Sequence, residues 1–362
     1  MSEKPPGPLR RGWTTGACAT AATAAAFEAL LTGIFPDPVE IALPKGERPA
    51  FALARHQIED GAATAGVVKD AGDDPDVTHR ALVLSTVRRL DAGSGVHFKA
   101  GPGVGTVTKP GLPIPPGEPA INPVPRRMMT EAIEAIARRH GTRPDVEITI
   151  SIPGGEEMAR HTWNPRLGIL GGLSVLGTTG IVHPYSCSAW IASIHRGIDV
   201  ARASRLEHAA ACTGSTSEAG VKKLYDLPDF AFIDMGDFAG GVLKYLRTHP
   251  LPKLTIGGGF AKMAKLAGGA LDLHSGRSQL DREALAGWLA EMGADATLIE
   301  KARSANTGAE ILEQAQAQGL PLGDEVARRA RDQARALVEG KVAIEVVAFD
   351  RAGAIVGRAG FA

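Results

Sequence analysis

The first half of the chain combines helical and strand-like patterns of apolar residues. An alanine-rich run from about Ala17 to Leu31, followed by Gly33, predicts a helix that ends at the glycine. Apolar residues at helical spacing predict a second, amphipathic helix over Arg126–Arg139. Short apolar or alternating runs predict strands at Val39–Leu43, Ala50–Arg55, Ala81–Val87, Val96–Ala100 and Val146–Ile152. The first half is therefore expected to be a mixed α+β domain.

In the second half, predicted strands and helices alternate. The strands are predicted at His208–Cys212, Ala231–Ile233, Lys253–Ile256 and Val342–Phe349, the last of which is expected to end the fold. The helices are predicted at Ser188–Ala203, Phe238–Arg247 and Ala261–Leu266, with three charged helical stretches in Asp281–Leu337. Such alternation indicates parallel strands flanked by helices. We expect an α+β N-terminal domain, residues 1–185, followed by an α/β Rossmann-like domain with a mainly parallel sheet, residues 186–362.

Composition narrows the class of protein. Of the 362 residues, 44% are hydrophobic, and 40 basic side chains balance 40 acidic ones, so the chain lacks the positive excess of a nucleic-acid binder. No apolar stretch reaches the length of a membrane span, and the N-terminus has no signal-peptide core. The three cysteines are odd in number and far apart, which is typical of reduced thiols. We expect a cytoplasmic protein that binds neither nucleic acid nor membranes.

Two glycine-rich segments, residues 101–125 and 164–180, leave little room for ordinary helices or strands. Dense glycine costs backbone entropy, which is usually offset where the chain turns tightly or lies close to a ligand. The stretch Gly101–Gly105 imitates a dinucleotide-binding loop. However, β-branched residues and a proline follow it, where that motif requires a helix. Ligand binding by these segments, without a dinucleotide loop, is the leading hypothesis.

Several polar residues near the start of the chain are candidate ligand contacts. Thr14 and Thr15 precede a helix, where hydroxyl and free N–H groups either suit an anion or form an ordinary N-cap. Lys69, Asp70 and Asp73 belong to a run with four carboxylates whose spacing does not match a calcium loop. This run is either a solvated turn or a polar clamp, with Lys69 for substrate carboxylates and an aspartate as proton acceptor.

Basic and hydroxyl side chains also accompany the glycine-rich segments. Lys109 and Arg126 lie in or just after the first segment, and Arg166 lies in the second. The guanidinium of arginine offers a fixed fork for carboxylates. Thr178 and Thr179 end the second segment, which either lines a pocket or is a tightly packed crossing between domains.

Glycine-bearing loops follow three consecutive predicted strands of the second half. Their candidate ligand residues are Gly214, Ser215, Thr216, Gly236, Asp237, Gly258 and Gly259. Ser215 and Glu218 have the spacing of a capping box, and the first loop lacks the Gly-Lys-Ser/Thr ending of an ATP-binding loop. Loops at the carboxyl ends of neighbouring parallel strands form one crevice, the expected ligand site of an open sheet. No Cys/His group has zinc spacing, so no metal site is expected.

Taken in order, motifs over residues 11–280 resemble the CbiD family of cobalt-precorrin-5B C-1 methyltransferases. The matching stretches are Arg11–Ala19, Lys69–Thr78, Gly101–Leu112, Gly117–Arg126, Ile152–Glu157, Asn164–Gly180, Lys265–Gly269 and His274-Ser275. Thr213–Glu218 and Gly257–Phe260 depart from the turns typical of the family, which argues against a histidine-based role there.

The resemblance implies methyl transfer from S-adenosylmethionine, as co-substrate, to C-1 of cobalt-precorrin-5B, giving cobalt-precorrin-6A in cobalamin (corrin ring) biosynthesis. Cobalt then enters only as part of the substrate. The residues expected to bind that tetrapyrrole are Thr14, Thr15, Lys69, Lys109, Arg126, Arg166, Thr178 and Thr179. Asp70 or Asp73 is the expected catalytic carboxylate, and the strand-end loops of the second half are expected to bind S-adenosylmethionine.

Two other functions remain open at this point. A phosphate-handling transferase would use the same strand-end glycine loops on a nucleotide. A non-catalytic carrier would bind the tetrapyrrole without transferring a methyl group. The expected partner is a small-molecule tetrapyrrole, and a homodimer is left open.

Overall fold

The computed structural model describes residues 7–362. They form two compact units, the first ending at Cys187 and the second spanning Ser188–Ala362. Each unit mixes helices with strands, and each has a sheet with both parallel and antiparallel neighbours. Within residues 7–362, no helix combines the length and the apolar character that crossing a lipid bilayer requires.

The first unit is built on a five-stranded sheet. Its helices are α1 (Thr15–Thr32), α2 (Pro123–Arg139) and α3 (Gly155–Ala159). Its strands are β1 (Gly12–Trp13), β2 (Val39–Glu40), β3 (Ala50–Phe51), β4 (Arg55–Glu59), β5 (Ala62–Val68), β6 (Leu82–Arg89), β7 (Val96–Ala100), β8 (Gly103–Val104), β9 (Thr106–Val107), β10 (Val146–Ser151), β11 (Ile169–Leu170), β12 (Gly172–Leu173) and β13 (Ile181–Val182). The sheet order is β4-β5-β6-β10-β7, in which β10 and β7 are parallel and the other neighbours antiparallel.

Helix α1 is buried on nearly all sides because its alanines allow neighbouring elements to approach closely. It packs against β5, β6 and α2. Thr14 caps its N-terminus, since Oγ1 accepts a hydrogen bond from the Ala17 N–H at 3.2 Å. Gly33 ends it in the left-handed region, with φ 78°. The predicted helix is confirmed and begins two residues before Ala17, at Thr15.

Helix α2 begins at Pro123, earlier than the predicted start at Arg126. Pro123 and Pro125 fit its first turn because the N–H groups of that turn have no partner within the helix. Met129 and Ile133 lie on its fully buried face.

Helices α1 and α2 run parallel. A Cβ added to Gly16 would lie 2.7 Å from Cγ of Pro125, near both N-termini. Near both C-termini, Glu28 forms an ion pair with Arg139 and a hydrogen bond with His140. Both helices therefore begin side by side at the same end of the unit.

The glycine-rich segments contain short strand pairs and close backbone contacts. β9 pairs with β11, and β8 pairs with β12. A Cβ added to Gly103 would collide with the carbonyl of Ile152, and one added to Gly155 or Gly172 would collide with the carbonyl of Gly103. These glycines allow backbone to pack on backbone within the first unit.

The second unit surrounds a five-stranded sheet with helices. The strands are β14 (His208–Cys212), β15 (Phe232–Asp234), β16 (Lys253–Gly259), β17 (Ala343–Phe349) and β18 (Ile355–Ala359). The helices are α4 (Cys187–Ala203), α5 (Ser215–Leu224), α6 (Ala239–Thr248), α7 (Phe260–Ala267), α8 (Arg282–Glu291), α9 (Ala296–Ser304), α10 (Gly308–Ala317) and α11 (Leu322–Leu337), with a 3₁₀ turn at Asp229–Ala231. The sheet order is β15-β14-β16-β17-β18, in which β18 alone is antiparallel to its neighbour.

Two predictions for the end of the chain are wrong. The charged region forms four helices, α8–α11, because the side chains of Asp281, Asp295 and Thr307 each accept an N–H and start a new helix. The fold also continues beyond Phe349 with β18, a short strand whose Gly357 lies so close to α11 that a Cβ would collide with the Gly323 carbonyl.

The sheet of the second unit separates two apolar clusters. Ala209 and Ala211 of β14 belong to the large core shared with α4, α6, α7 and α11. Ala210 and Cys212 belong to a smaller cluster with Val221 of α5. Because successive strand residues point to opposite faces, α5 covers one face and α4, α6 and α7 cover the other.

Candidate functional site

The carboxyl ends of β14, β15 and β16 meet at one edge of the second unit's sheet, called here the carboxyl edge. The three strands are parallel neighbours in the order β15-β14-β16. All three predicted glycine-bearing loops lie at this edge: residues 214–216 open α5, residues 236–237 precede α6, and residues 258–259 end β16. The structure thus brings the seven predicted cofactor residues to one edge.

The centre of this edge lies between β14 and β16, where the direction of the connections changes. Helix α5 leaves β14 toward one face of the sheet, and α7 leaves β16 toward the other. A crevice at such a switch point is the usual ligand site of an open α/β sheet.

Two glycines beside this switch point face open space. A Cβ added to Gly214 or Gly259 would meet no atom within 4 Å. By contrast, a Cβ added to Gly258 would lie 2.5 Å from Cε of Met263 and 2.9 Å from Cγ2 of Thr213. Gly258 is therefore needed for packing, whereas Gly214 and Gly259 leave the backbone open to a ligand.

Helices α5, α6 and α7 begin at this edge without a side-chain cap, within the described part of the chain. The capping box predicted for α5 does not form, because Gly214 occupies the N-cap position and Ser215 is already the first helical residue. Ser217 Oγ donates instead to the Gly214 carbonyl at 2.8 Å, and Glu218 pairs with Lys222 at 3.1 Å. In α6, the Gly240 N–H donates instead to the Leu271 carbonyl at 2.8 Å. At α5 and α7, the uncapped N–H groups and the helix dipole favour a negatively charged or polar ligand group.

Asp237 is held at the carboxyl edge by contacts from α7 and from the loop that follows it. Nζ of Lys262 lies 2.9 Å from Oδ1 of Asp237. This oxygen is inaccessible to solvent and has no partner with hydrogen-bond geometry in residues 7–362, so the contact with Lys262 is ionic. The Asp237 carbonyl accepts a hydrogen bond from the Leu273 N–H at 2.8 Å.

Lys265 also contacts the loop that follows α7. It is buried and donates to the Leu273 carbonyl at 3.0 Å. Burial lowers its pKa, and the nearby charge of Asp237 partly opposes that shift. Sequence reasoning gave Lys262 and Lys265 no role, although their three-residue spacing directly after Gly259 places both in the first two turns of α7.

In the first unit, three chain segments join into a three-segment cluster, residues 10–16, 69–80 and 176–182. Backbone hydrogen bonds connect Trp13 to Asp70 at 2.7 Å, Thr14 to Gly180 at 2.9 Å, and Gly16 to Leu176 at 3.1 Å. Seven predicted site residues therefore lie in one neighbourhood: Thr14, Thr15, Lys69, Asp70, Asp73, Thr178 and Thr179.

The two predicted catalytic carboxylates are bound to Arg10. Its guanidinium forms a two-pronged ion pair with Asp70, with one contact at 2.9 Å. Asp73 accepts the Arg10 backbone N–H at 2.6 Å. Hydrogen bonds from Arg10, supported by the Gly72 N–H, lower the pKa of Asp70 to about 2. A carboxylate with this pKa is ionised at neutral pH and is a weak general base.

Lys69 is buried, with 2% of its side chain exposed, and its ammonium contacts Asp76 and Thr78. Burial would raise the pKa of Asp76, but the charge and hydrogen bonds of Lys69 hold it below its usual value. The nearby Cys18 thiol is also buried, and burial raises its pKa to about 12, so it is an inert core residue. The positive charge of Lys69 is therefore paired with Asp76 in the interior of the protein.

The four threonines of the cluster have different partners. Thr14 caps α1, and Thr179 Oγ1 accepts the Ile181 N–H at 3.2 Å. Thr178 is exposed. Thr15 is 4% exposed, and its hydroxyl has no hydrogen-bond partner in residues 7–362.

The remaining predicted cations lie on the glycine-rich segments. Lys109 packs beside Gly168, where a Cβ would lie 2.5 Å from Cγ of the lysine. The Arg166 guanidinium lies 4.9 Å from the ring centre of Trp163. Arg126 donates to the carbonyls of Ile121 at 2.9 Å and Pro119 at 3.0 Å, and to Glu118 at 3.1 Å. Arg126 therefore serves to hold the segment before α2.

Comparison with known proteins decides the family. A family model described as CbiD matches residues 2–184, and a second, described as CbiD, C-terminal domain, matches residues 272–360. This chain belongs to the CbiD family. The loops of the carboxyl edge lie between the two matched stretches.

Several curated relatives of this CbiD-family chain carry one name, Cobalt-precorrin-5B C(1)-methyltransferase. A relative from Brucella anthropi is 62% identical and covers 97% of this chain and 95% of its own length. Relatives from Bradyrhizobium sp. and Paramagnetospirillum magneticum are 61% identical over 97% of this chain, and 94% and 98% of their own lengths. These names confirm the predicted family and the prediction of a methyltransferase enzyme.

One solved structure is similar to this chain. It is a 1.9 Å crystal structure of cobalamin biosynthesis protein (cbiD) from Archaeoglobus fulgidus, 28% identical, covering 74% of this chain and 83% of that chain with a TM-score of 0.40. At that score the likeness adds nothing to the family assignment.

Proposed function

We propose that this chain transfers a methyl group from S-adenosylmethionine to C-1 of cobalt-precorrin-5B, giving cobalt-precorrin-6A in cobalamin biosynthesis. The observation that carries the proposal is the 61–62% identity, over 97% of the chain, to relatives named for this methyl transfer. Cobalt belongs to the substrate.

We assign the methyl donor to the carboxyl edge of the second unit. The strand order and the change of direction between β14 and β16 support a Rossmann-like interpretation of this unit. The open backbone at Gly214 and Gly259 fits close approach of a ligand. When bound, S-adenosylmethionine supplies an electrophilic methyl group on a positively charged sulfur.

We assign the tetrapyrrole to the first unit. Its acetate and propionate groups need cations and polar donors, and its ring needs an apolar surface. The Thr15 hydroxyl, which has no hydrogen-bond partner in residues 7–362, and the exposed Thr178 support carboxylate binding. Exposed Leu170 and Leu176 on the second glycine-rich segment supply apolar surface.

The residues of this chain contribute mainly by positioning. The conjugated ring is itself a carbon nucleophile, so most of the rate enhancement comes from orientation and exclusion of water. Asp70 stays ionised because of its low pKa, which suits it to stabilise positive charge rather than to accept a proton. Through their internal contacts, Lys69 holds the segment 69–80 in place, and Arg126 holds the segment before α2.

The test is an assay with cobalt-precorrin-5B and S-adenosylmethionine labelled on the methyl group. Labelled tetrapyrrole that has gained one methyl group, detected by mass spectrometry, supports the proposal. Binding of the tetrapyrrole without label transfer would support the carrier. Tight ATP binding in calorimetry, with no S-adenosylmethionine binding, would support the phosphate-handling transferase.

A further inference from the structure

One aromatic side chain at the carboxyl edge is not explained by packing alone. Trp190, Ile194, Ile198 and Ala201 follow one another along a single face of α4, because helical residues three or four apart lie on the same side. Ile194, Ile198 and Ala201 are almost completely buried in the large core. Trp190 lies one turn closer to the start of the helix and is 36% exposed. The core-facing stripe of α4 therefore ends in a large ring that the core does not cover.

The indole of Trp190 is fixed in place at the end of β15. Its Nε1 donates to the Asp234 carbonyl at 3.2 Å. A Cβ added to Gly236, which has φ 54°, would lie 3.3 Å from Cζ2 of the ring, so the indole packs directly on the loop backbone. The ring of Phe238 is 6.3 Å away at 52°. The orientation is thus set before any ligand binds, which reduces the entropy lost on binding.

The location of this ring distinguishes it from other exposed apolar side chains in the second unit. Phe361 is exposed to a similar degree, but its ring contacts His208 and Lys253, at the start of β14 and β16. Trp190 lies at the opposite, carboxyl end, beside Gly236 and Asp237. Exposing a large aromatic surface to water is unfavourable, and a planar ligand group would cover it.

We infer that the exposed surface of the Trp190 indole is the platform on which the adenine ring of S-adenosylmethionine stacks. The inference rests on the proposed function and adds the residue that recognises the base. An adenine ring on Trp190 would lie next to the Asp234–Asp237 loop, whose backbone the indole already contacts. Stacking of bases on aromatic side chains tolerates different bases, so Trp190 contributes affinity, and polar groups of the loop contribute selectivity.

The test is calorimetric titration of the full-length chain with S-adenosylhomocysteine, which keeps the adenine and lacks the charged sulfur. Trp190→Ala is expected to raise the Kd roughly tenfold, and Trp190→Phe, which keeps a ring, only a few fold. Phe361→Ala, a similarly exposed aromatic at the other end of the strands, is the matched control and is expected to leave the Kd unchanged. Circular dichroism verifies that each variant is folded.

The outcomes separate the inference from the proposed function. If the wild-type chain binds neither S-adenosylmethionine nor S-adenosylhomocysteine, both the adenine platform and the proposed function are overturned. If the wild-type chain binds and Trp190→Ala binds equally well, only the adenine platform is overturned. If Trp190→Ala weakens binding of S-adenosylmethionine but not of S-adenosylhomocysteine, the indole interacts with the sulfonium charge, and the adenine assignment is again wrong.

Discussion

Charged side chains in residues 69–76 pair with one another or with Arg10. Lys69 binds Asp76 and Thr78 in the interior, and Asp70 binds Arg10. The carboxylate run that first suggests a catalytic clamp therefore fastens one loop to the start of the chain. This arrangement was not predictable from sequence, because Arg10 and Asp70 are 60 residues apart and nothing local identifies them as partners.

The low pKa of Asp70 predicts how acid acts on this loop. An ionised Asp70 stabilises the fold above its unfolded pKa of about 3.9, and this contribution is lost as the pH falls toward the folded value of about 2. We therefore expect Asp70→Asn to lower stability at about pH 6 and to lose less stability than the wild type between about pH 4 and pH 2. Urea unfolding across this range measures both effects.

Asp91→Asn provides the matched control for that experiment. Asp91 is exposed, and within residues 7–362 its side chain has no hydrogen bond or ion pair. This variant should unfold with the pH dependence of the wild type. An Asp70→Asn profile that parallels the wild type would show that the Arg10 pair contributes nothing to stability.

Thr15 and Thr23 allow a second comparison, between two largely buried threonines of α1. Thr15 has no hydrogen-bond partner in residues 7–362, whereas Thr23 Oγ1 is bonded to Ser85 Oγ at 2.8 Å. Thr15→Val should therefore leave the free energy of unfolding nearly unchanged and weaken tetrapyrrole binding. Thr23→Val should cost about 1–3 kcal/mol, because Ser85 loses its partner, with tetrapyrrole affinity retained. Unfolding and absorbance titrations measure the two quantities, and equal tetrapyrrole affinities of wild type and Thr15→Val would exclude Thr15 from the substrate site.

Helices and strands were predictable where the apolar pattern was strong. β7 and β14 match their predicted limits, and α1, α2 and α4 were found within three residues. The strand β5 was missed because Ala62–Val68 consists of small residues with little contrast between its faces. The end of the fold was missed for a related reason, since β18 is short and contains a glycine whose packing partner is 34 residues earlier in α11.

The strand-end loops were predictable as a group because three strands with glycine-bearing ends follow one another along the chain. Their neighbourhood in the sheet follows from the alternation of strands and helices. The sequence did not distinguish packing glycines from open ones, however. Gly258 packs against Met263 and against Thr213, which lies 45 residues earlier and which no local pattern identifies, whereas Gly214 and Gly259 face open space.

This difference between glycines predicts opposite effects of alanine. Gly214 has an extended backbone with φ 167°, and a Cβ there meets nothing, so Gly214→Ala should fold with a nearly unchanged Tm. The added methyl group should occupy the space in front of the backbone and weaken S-adenosylhomocysteine binding roughly tenfold. Gly258→Ala should instead lower the Tm, because the methyl group meets Met263 and Thr213. Thermal unfolding with calorimetry separates the two effects, and unchanged binding by Gly214→Ala would remove Gly214 from the donor site.

The chain as a whole divides its proposed ligands between two units with separate cores. The large core of the second unit and the core of the first unit share no residue. The three-segment cluster belongs entirely to the first unit and the carboxyl edge to the second. Each ligand is therefore expected to be recognised by its own set of side chains, with independent effects of mutation.

That division predicts additive kinetics. Gly214→Ala should raise the KM for S-adenosylmethionine with little effect on the KM for the tetrapyrrole, and Thr15→Val should do the reverse. Since the two residues belong to different units, the changes in log KM should add in the double variant. Steady-state methyl transfer, with each substrate varied in turn, measures both KM values for the two single variants and the double variant. Effects in the double variant that depart strongly from the sum would mean that the two sites are energetically coupled, and the assignment of one ligand to each unit would then have to be abandoned.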